Sequence, residues 1–183
     1  MPISSACIGT GDAVTDPKWF DGYSGQSANE LVALASEYRI DSIVLAFEQA
    51  LLEKLSSVAL SELNEVELTV LAVEALEREV NNGGYHQFFL NAAEHASSIV
   101  AALERIDCPN TAKISQAAIA HLGVQPPFTI EQVQIALEQD TDGNLIDVLS
   151  DRCDQLYYDS GEPIADRLFA YIRARSHAIQ LGK

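Results

Sequence analysis

The sequence is poor in positive charge. Its 183 residues include 11 lysines and arginines against 27 aspartates and glutamates, which gives a formal net charge of −16. A surface this negative repels the phosphates of nucleic acids and anionic lipids, and it attracts cations and basic proteins. We therefore expect no direct nucleic-acid binding, and a basic protein is the partner class that the composition favours.

Cysteines and long apolar runs are also scarce. The cysteines at 7, 108 and 153 lie far apart and show no CxxC spacing, which is typical of a reducing compartment. No apolar stretch approaches the roughly 18 residues that a membrane-spanning helix needs. The first twenty residues lack the basic and long apolar regions of a signal peptide. We expect a soluble, cytoplasmic protein without membrane association.

Signatures of catalysis are missing as well. The four histidines are widely separated and form no HExxH pattern, and no glycine-rich phosphate loop is followed by a lysine. Cys108 has no neighbouring histidine or lysine that would activate its thiol. We therefore predict a non-enzymatic protein without catalytic residues, metal ligands or a cofactor.

What the sequence does contain is helical periodicity. From residue 27 onward, apolar residues recur at spacings of three and four, and no alternating strand pattern competes with them. Asn64 with Glu67, and Thr129 with Gln132, have the spacing of helix-capping boxes. We predict an all-α fold: a single compact globular domain of roughly eight helices over residues 27–183, preceded by an irregular N-terminal arm over residues 1–26.

The helical pattern is interrupted within residues 77–91, which read EREVNNGGYHQFFLN. Asn82 or Gly83 can adopt the left-handed conformation that ends a helix, and Gly84 lets the next helix begin close by. Aromatic side chains then supply bulk for a core. We predict a tight corner between two helices, with asparagine side chains bonding free carbonyls. The alternative is a small-molecule pocket, in a binding or catalytic domain, made of amides and an aromatic ring: Asn81, Asn82, Tyr85, Gln87 and Asn91.

This stretch resembles the hallmark of a bacterial helical family that is named after an acidic DNA-mimic protein. The matching residues are Glu77, Glu79, Val80, Asn81, Asn82, Gly83, Gly84, Tyr85, Gln87, Phe88, Phe89 and Asn91. The likeness spans roughly residues 40–180 and returns in LYYDSGEPIADRLFAYIRAR. A DNA mimic presents carboxylates in place of phosphates and occupies the DNA-binding face of a basic protein. The resemblance implies a transcription regulator as partner, or a nuclease or toxin, which would make the chain an immunity-type protein. The motif itself is apolar and glycine-rich, and we expect it to maintain the fold.

Acidic residues in the second half of the chain have a spacing that suits such mimicry. Asp147, Asp151 and Asp154 fall within about 60° of one another on an ideal α-helix. Their axial steps are roughly 6 and 4.5 Å, and apolar residues occupy the opposite side. We predict that they act as phosphate surrogates. Supporting carboxylates are Asp140, Glu131, Glu138, Glu67 and Glu74. The alternative is a solvated acidic face that serves solubility alone.

Basic residues are concentrated near the end of the chain, at Arg167, Arg173 and Arg175. We expect them to pair with the acidic residues of 131–166 in the same molecule. A second possibility is a self-association surface, positive tail against negative face, which would make the protein a homodimer.

Overall fold

The chain folds into helices joined by short turns, in a computed structural model that describes residues 16–124 and 128–182. The α-helices are α1 (Ala28–Ala33), α2 (Ile40–Leu55), α3 (Glu65–Asn91), α4 (Ile99–Arg105), α5 (Pro109–His121), α6 (Ile130–Glu138), α7 (Asn144–Val148), α8 (Gln155–Asp159) and α9 (Ile164–Arg175). Short 3-10 turns occupy Leu34–Ser36, Leu60–Glu62, Ala93–His95 and Ser176–Ala178. A π-helical segment, Leu149–Asp154, joins α7 to α8 without a break. The predicted compact all-α fold is confirmed.

Helix α3 lies at the centre of the domain. It packs against α2, α4, α6, α9 and the π-helical segment. Every residue from 69 to 76 is buried, because this section of α3 is covered on all sides. The largest side chains of the surrounding core include Phe47, Phe88 and Phe89, which are fully buried. The central helix therefore fixes the position of the elements packed around it.

The predicted helix caps are present. The Asn64 side chain accepts hydrogen bonds from the backbone N–H groups of Val66 and Glu67, at 2.9 and 3.1 Å. Thr129 and Gln132 form the same reciprocal arrangement at the start of α6. These bonds satisfy backbone donors that have no partner within the first turn of a helix. Both helix starts were therefore readable from the spacing of the capping residues.

Residues 16–26 run along α2 and the end of the chain. The backbone N–H of Phe20 donates to Ser42 Oγ at 3.0 Å, and the Tyr23 hydroxyl donates to the Gly182 carbonyl at 2.8 Å. An isolated parallel bridge joins Lys18 to Tyr38. These residues belong to the predicted N-terminal arm, whose residues 1–15 lie outside the described part of the chain. None of the helices in residues 16–124 and 128–182 combines the length and the apolarity needed to cross a membrane.

Candidate functional site

Helix α3 bends sharply at Gly83 and Gly84. Gly84 has φ 76° and ψ −174°, a region that is essentially restricted to glycine. A Cβ atom on Gly84 would collide with the Asp154 carboxylate, and one on Gly83 would collide with the Gln87 side-chain oxygen. The predicted corner is therefore present. The prediction was wrong about its pivot: Gly84, and neither Asn82 nor Gly83, has the positive φ.

Side chains from outside the corner satisfy the backbone groups that the bend leaves free. The Tyr85 N–H donates to Asp154 Oδ1 at 2.8 Å, at the start of the second part of α3. The Tyr158 hydroxyl donates to the Val80 carbonyl, also at 2.8 Å. On the helix itself, Asn81 Nδ2 donates to the Glu77 carbonyl at 2.7 Å. The bend is thus held by the π-helical segment and α8 as well as by its own residues.

Glu79 connects the two parts of the bent helix. Its carboxylate accepts hydrogen bonds from Gln87 Nε2 at 3.0 Å, from Asn91 Nδ2 at 2.9 Å and from Arg78 Nε at 3.0 Å. Burial by itself would raise the pKa of Glu79, but these bonds outweigh it and lower the pKa below its usual value. Glu79, Gln87 and Asn91 therefore have a structural role at the corner.

The aromatic residues of the motif are core residues. Tyr85, Phe88 and Phe89 are fully buried, and the Tyr85 hydroxyl lies 2.8 Å from Ser115 Oγ on α5. Their rings contact one another and Tyr157. The tyrosine of the alternative pocket is consequently closed off from solvent, and its polar end is already bonded.

A cavity of about 450 Å³ lies against the outside of the corner. Its walls are residues 81–84 of α3 together with Asp154, Gln155 and Tyr158. Most of the polar groups there already hold the bend, as described above. The Asn82 side chain is exposed and makes no hydrogen bond to any other described residue.

Several of the predicted phosphate surrogates are exposed to solvent. They are Asp147, Asp151, Glu131 and Glu138. Within the described parts of the chain, none of these carboxylates has a lysine, arginine or histidine nitrogen within 4.0 Å. They lie on α6, on α7 and in the π-helical segment, and a partner can reach their charges.

Asp140 and Asp154 have structural contacts instead. The half-buried Asp140 carboxylate accepts from the N–H groups of Leu145 at 2.9 Å and Ile146 at 3.2 Å, so it caps the start of α7. Asp154 turns toward Gly84 and Tyr85. The prediction that placed Asp154 in one row with Asp147 and Asp151 assumed an uninterrupted α-helix, and the wider π-helical turn changes that register.

The two predicted carboxylates of α3 are not at the surface. Glu67 is 1% exposed and accepts from Lys54 Nζ and from the Gln180 N–H, each at 2.8 Å. Glu74 is 5% exposed and faces a cavity between helices. The prediction that Glu67 and Glu74 face a partner is therefore wrong: a spacing of seven residues shows that they share a helix face, but it does not show whether that face is buried.

The basic residues of α9 make contacts other than those expected. Arg167 pairs with Asp107, outside the acidic stretch 131–166. Arg173 and Arg175 lie over the rings of Phe169 and Tyr171, with centroid distances of 5.9 and 4.2 Å. The expected pairing with residues 131–166 is therefore absent among the described residues. Self-association stays a prediction.

Glu162 has a structural role that no local pattern in the sequence indicates. Its carboxylate accepts from the N–H groups of Asn110 at 2.9 Å and Thr111 at 2.8 Å, and from the Thr111 hydroxyl at 2.6 Å. It thus caps the start of α5 from 51 residues away. The only signal in the sequence was its place in the second stretch of family likeness, since a cap from a distant residue leaves no local spacing.

An acidic, all-helical domain built on a glycine-bent central helix is the class that this fold and site define. The chain belongs to the DMP19-like protein family, whose model matches residues 61–175, more than half of the sequence. The matched region contains the corner and the exposed Asp147 and Asp151. No curated protein and no solved structure matches the chain.

Proposed function

We propose that this chain is a non-enzymatic DNA-mimic-type protein that binds a basic DNA-binding protein and blocks its nucleic-acid site. The observation that carries the proposal is a set of exposed carboxylates that have no counter-ion among the described residues: Asp147, Asp151, Glu131 and Glu138, in a chain of net charge −16. Membership of a family named after an acidic DNA-mimic protein supports the same conclusion.

The physical basis is the similarity of exposed carboxylates to phosphates. DNA presents one phosphate charge per about 3.4 Å along each strand, and lysines and arginines of binding proteins pair with these charges. Asp147 and Asp151 lie four residues apart on one continuous helical stretch. Because no cation in residues 16–124 or 128–182 pairs with them, they are available to arginine and lysine side chains of a partner. A transcription regulator, or a nuclease or toxin that binds nucleic acid, would present a surface of the required positive sign.

A capture experiment tests this proposal. The immobilised chain is exposed to native cell extract at low ionic strength and then washed with increasing salt. We expect a basic DNA-binding protein that elutes with salt, because screening weakens contacts between exposed charges. We also expect the purified partner to release bound DNA when the chain is added. A partner whose affinity does not change from low to high ionic strength, or that keeps its DNA, would contradict the proposal.

A second candidate function is binding of a small molecule at the corner. The cavity of about 450 Å³ beside residues 81–84 favours it, since its volume lies in the range of ligand pockets. A metabolite that binds there would raise the melting temperature by mass action. Asn82→Ala would remove that shift and leave the melting temperature of the free protein unchanged. If Asn82→Ala instead lowers stability in every condition, the asparagine is a structural residue.

A further inference from the structure

A second cavity, of about 260 Å³, is also lined by Asn81 and Asn82. It is bounded by α2, α3 and α9, and the indole of Trp19 forms part of its wall. Its charged lining residues are Asp41, Glu74, Glu77 and Arg78. The volume falls just below the roughly 300–1,000 Å³ of pockets for drug-sized ligands, so it suits a smaller molecule.

Acidic side chains outnumber basic ones around this cavity. Asp41 pairs with Arg39 at 2.5 Å, outside the cavity lining. Arg78 is held by Glu48 and by Glu79, and its contact with Glu79 is 3.0 Å long. Among the described residues, the side chains of Glu74 and Glu77 have neither an ion-pair nor a hydrogen-bond partner.

Glu74 is the more informative of these two residues, because it is only 5% exposed. It is unfavourable for a carboxylate to have little contact with water and no partner, and buried acids are usually hydrogen-bonded or paired. Glu74 is therefore a buried polar side chain that lines a cavity and has no partner within the described chain. A positively charged ligand in the cavity would supply the missing partner.

The titration behaviour agrees with this geometry. Burial, together with the charges of Glu48 and Glu77, raises the pKa of Glu74 to about 8. Burial raises the pKa of Glu77 to about 7. Each carboxyl thus binds a proton near neutral pH, and a bound cation would replace that proton.

We propose that this cavity binds the protonated amino group of a small aliphatic amine, with Glu74 and Glu77 as its carboxylate partners and the Trp19 indole beside it. An ammonium group has three N–H donors. The Glu74 and Glu77 carboxylates can accept these hydrogen bonds, since no described residue donates to them. The Arg39 guanidinium already lies over the Trp19 ring, 5.5 Å from its centroid, so the indole serves as an apolar wall against which the alkyl chain of the amine packs. The site is separate from the exposed aspartates, so this proposal does not rest on the proposed function.

Trp19 makes the site directly observable, since it is the only tryptophan in the sequence. The full chain is titrated with 1,4-diaminobutane while tryptophan emission is recorded, and a parallel titration uses sodium chloride at matched ionic strength. We expect a saturable change in emission with the amine only. A third titration, with the N-acetyl methylamide of lysine, distinguishes the two sources of an amino group: a stronger response to this compound identifies a lysine side chain as the natural ligand.

The variant Glu74→Gln/Glu77→Gln keeps the shape of the site and removes its charge. Because the variant loses charge-assisted hydrogen bonds to the ammonium group, we expect the amine to bind at least about tenfold more weakly. The matched control Glu53→Gln/Glu104→Gln removes two exposed carboxylates on α2 and α4, away from the cavity, and should titrate like the wild type. The wild type's failure to respond to either amine, or an equal response from the Glu74→Gln/Glu77→Gln variant, would overturn the proposal.

A measurement on the wild type alone keeps the proposal testable if that variant does not fold. Amine binding must strengthen as the pH rises from below about 7 to above about 8, the pKa values of Glu77 and Glu74. The other charged groups that face Glu74 are Asp41, Glu48 and Arg78, and these form ion pairs with one another or with Arg39 and Glu79. Binding that is independent of pH over this range would count against the site. The Glu74→Gln/Glu77→Gln variant should still capture the protein partner, because its exposed carboxylates on α6, on α7 and in the π-helical segment are unchanged.

Discussion

Asp154 Oδ1 accepts a hydrogen bond of 2.8 Å from the backbone N–H of Tyr85, a residue 69 positions earlier in the chain. This bond joins the π-helical segment to the bend of the central helix. The neighbouring exposed residue Asp151 belongs to the same segment. The corner motif and the acidic surface are therefore mechanically connected: the motif fixes where the acidic helical stretch lies on the core.

The close fit between Asp154 and Gly84 predicts a large effect of Gly84→Ala. An alanine at this position would have to adopt a backbone conformation that is restricted to glycine. Its Cβ atom would also collide with the Asp154 carboxylate. We expect a loss of about 3 kcal/mol or more in the free energy of unfolding, measured by urea denaturation. Gly143→Ala is the control, since Gly143 has φ 74° but open space around it. Equal losses in the two variants would show that the contact with Asp154 is unimportant.

The hydrogen bonds of Glu79 should contribute to the free energy of unfolding at neutral pH and lose this contribution in acid. Glu79→Gln weakens the bonds to Arg78, Gln87 and Asn91, and we expect a loss of about 1–3 kcal/mol at neutral pH. The folded-state pKa is lowered, so this contribution is fully present above the ordinary pKa of 4.5 and disappears as the pH falls through the folded value. Urea denaturation at neutral and acidic pH measures it. A difference between variant and wild type that persists unchanged in acid would contradict this role.

Replacement by glutamine should have opposite effects on the free energy of unfolding at Glu48 and at Glu74. Both are 5% exposed, but Glu48 pairs with Arg78 and Glu74 has no partner among the described residues. Glu48→Gln should lower the free energy of unfolding by about 1–3 kcal/mol, because Arg78 loses one of its two carboxylates. Glu74→Gln should raise it in alkaline solution, because the variant no longer places a charge in a buried site.

The pH dependence of the Glu74 effect has a definite sign. The folded-state pKa is about 8, above the ordinary value of 4.5, so the wild type loses stability as the pH rises from 4.5 through 8. One unit of pKa shift corresponds to about 1.4 kcal/mol, so the advantage of Glu74→Gln should reach a few kcal/mol above pH 8 and vanish near pH 4.5. Thermal unfolding across this range measures it. A Glu74→Gln protein that is less stable than the wild type at every pH would show that Glu74 makes a stabilising contact.

Local signals in the sequence predicted the fold well. The capping pairs Asn64–Glu67 and Thr129–Gln132 are four-residue patterns, and both helices begin where these patterns place them. The glycine pair likewise marked the corner. These features depend on neighbouring residues, so the sequence alone carries enough information to locate them.

The assignments that failed depended on contacts between distant segments. Glu67 is both a capping residue and a buried partner of Lys54 and Gln180, and only the fold shows that the chain end covers it. Asp154 does not lie in one row with Asp147 and Asp151, because the π-helical turn directs its side chain toward Gly84. The pocket that contains Trp19, Glu74 and Glu77 joins segments more than fifty residues apart, and no spacing rule connects them.

We propose that Asp147 and Asp151 take the place of DNA phosphates on a partner. Labelled DNA bound to the captured partner is titrated with the chain, and its anisotropy reports whether the DNA is released. Asp147→Lys/Asp151→Lys is compared with Glu53→Lys/Glu104→Lys, which alters exposed acids on α2 and α4. Two acid-to-lysine substitutions add four units of positive charge, so each variant has a net charge of −16 + 4 = −12. We predict that the Asp147→Lys/Asp151→Lys variant needs at least about tenfold more protein to release the DNA, while the control acts like the wild type. Release of the DNA by Asp147→Lys/Asp151→Lys at the wild-type concentration would contradict the claim.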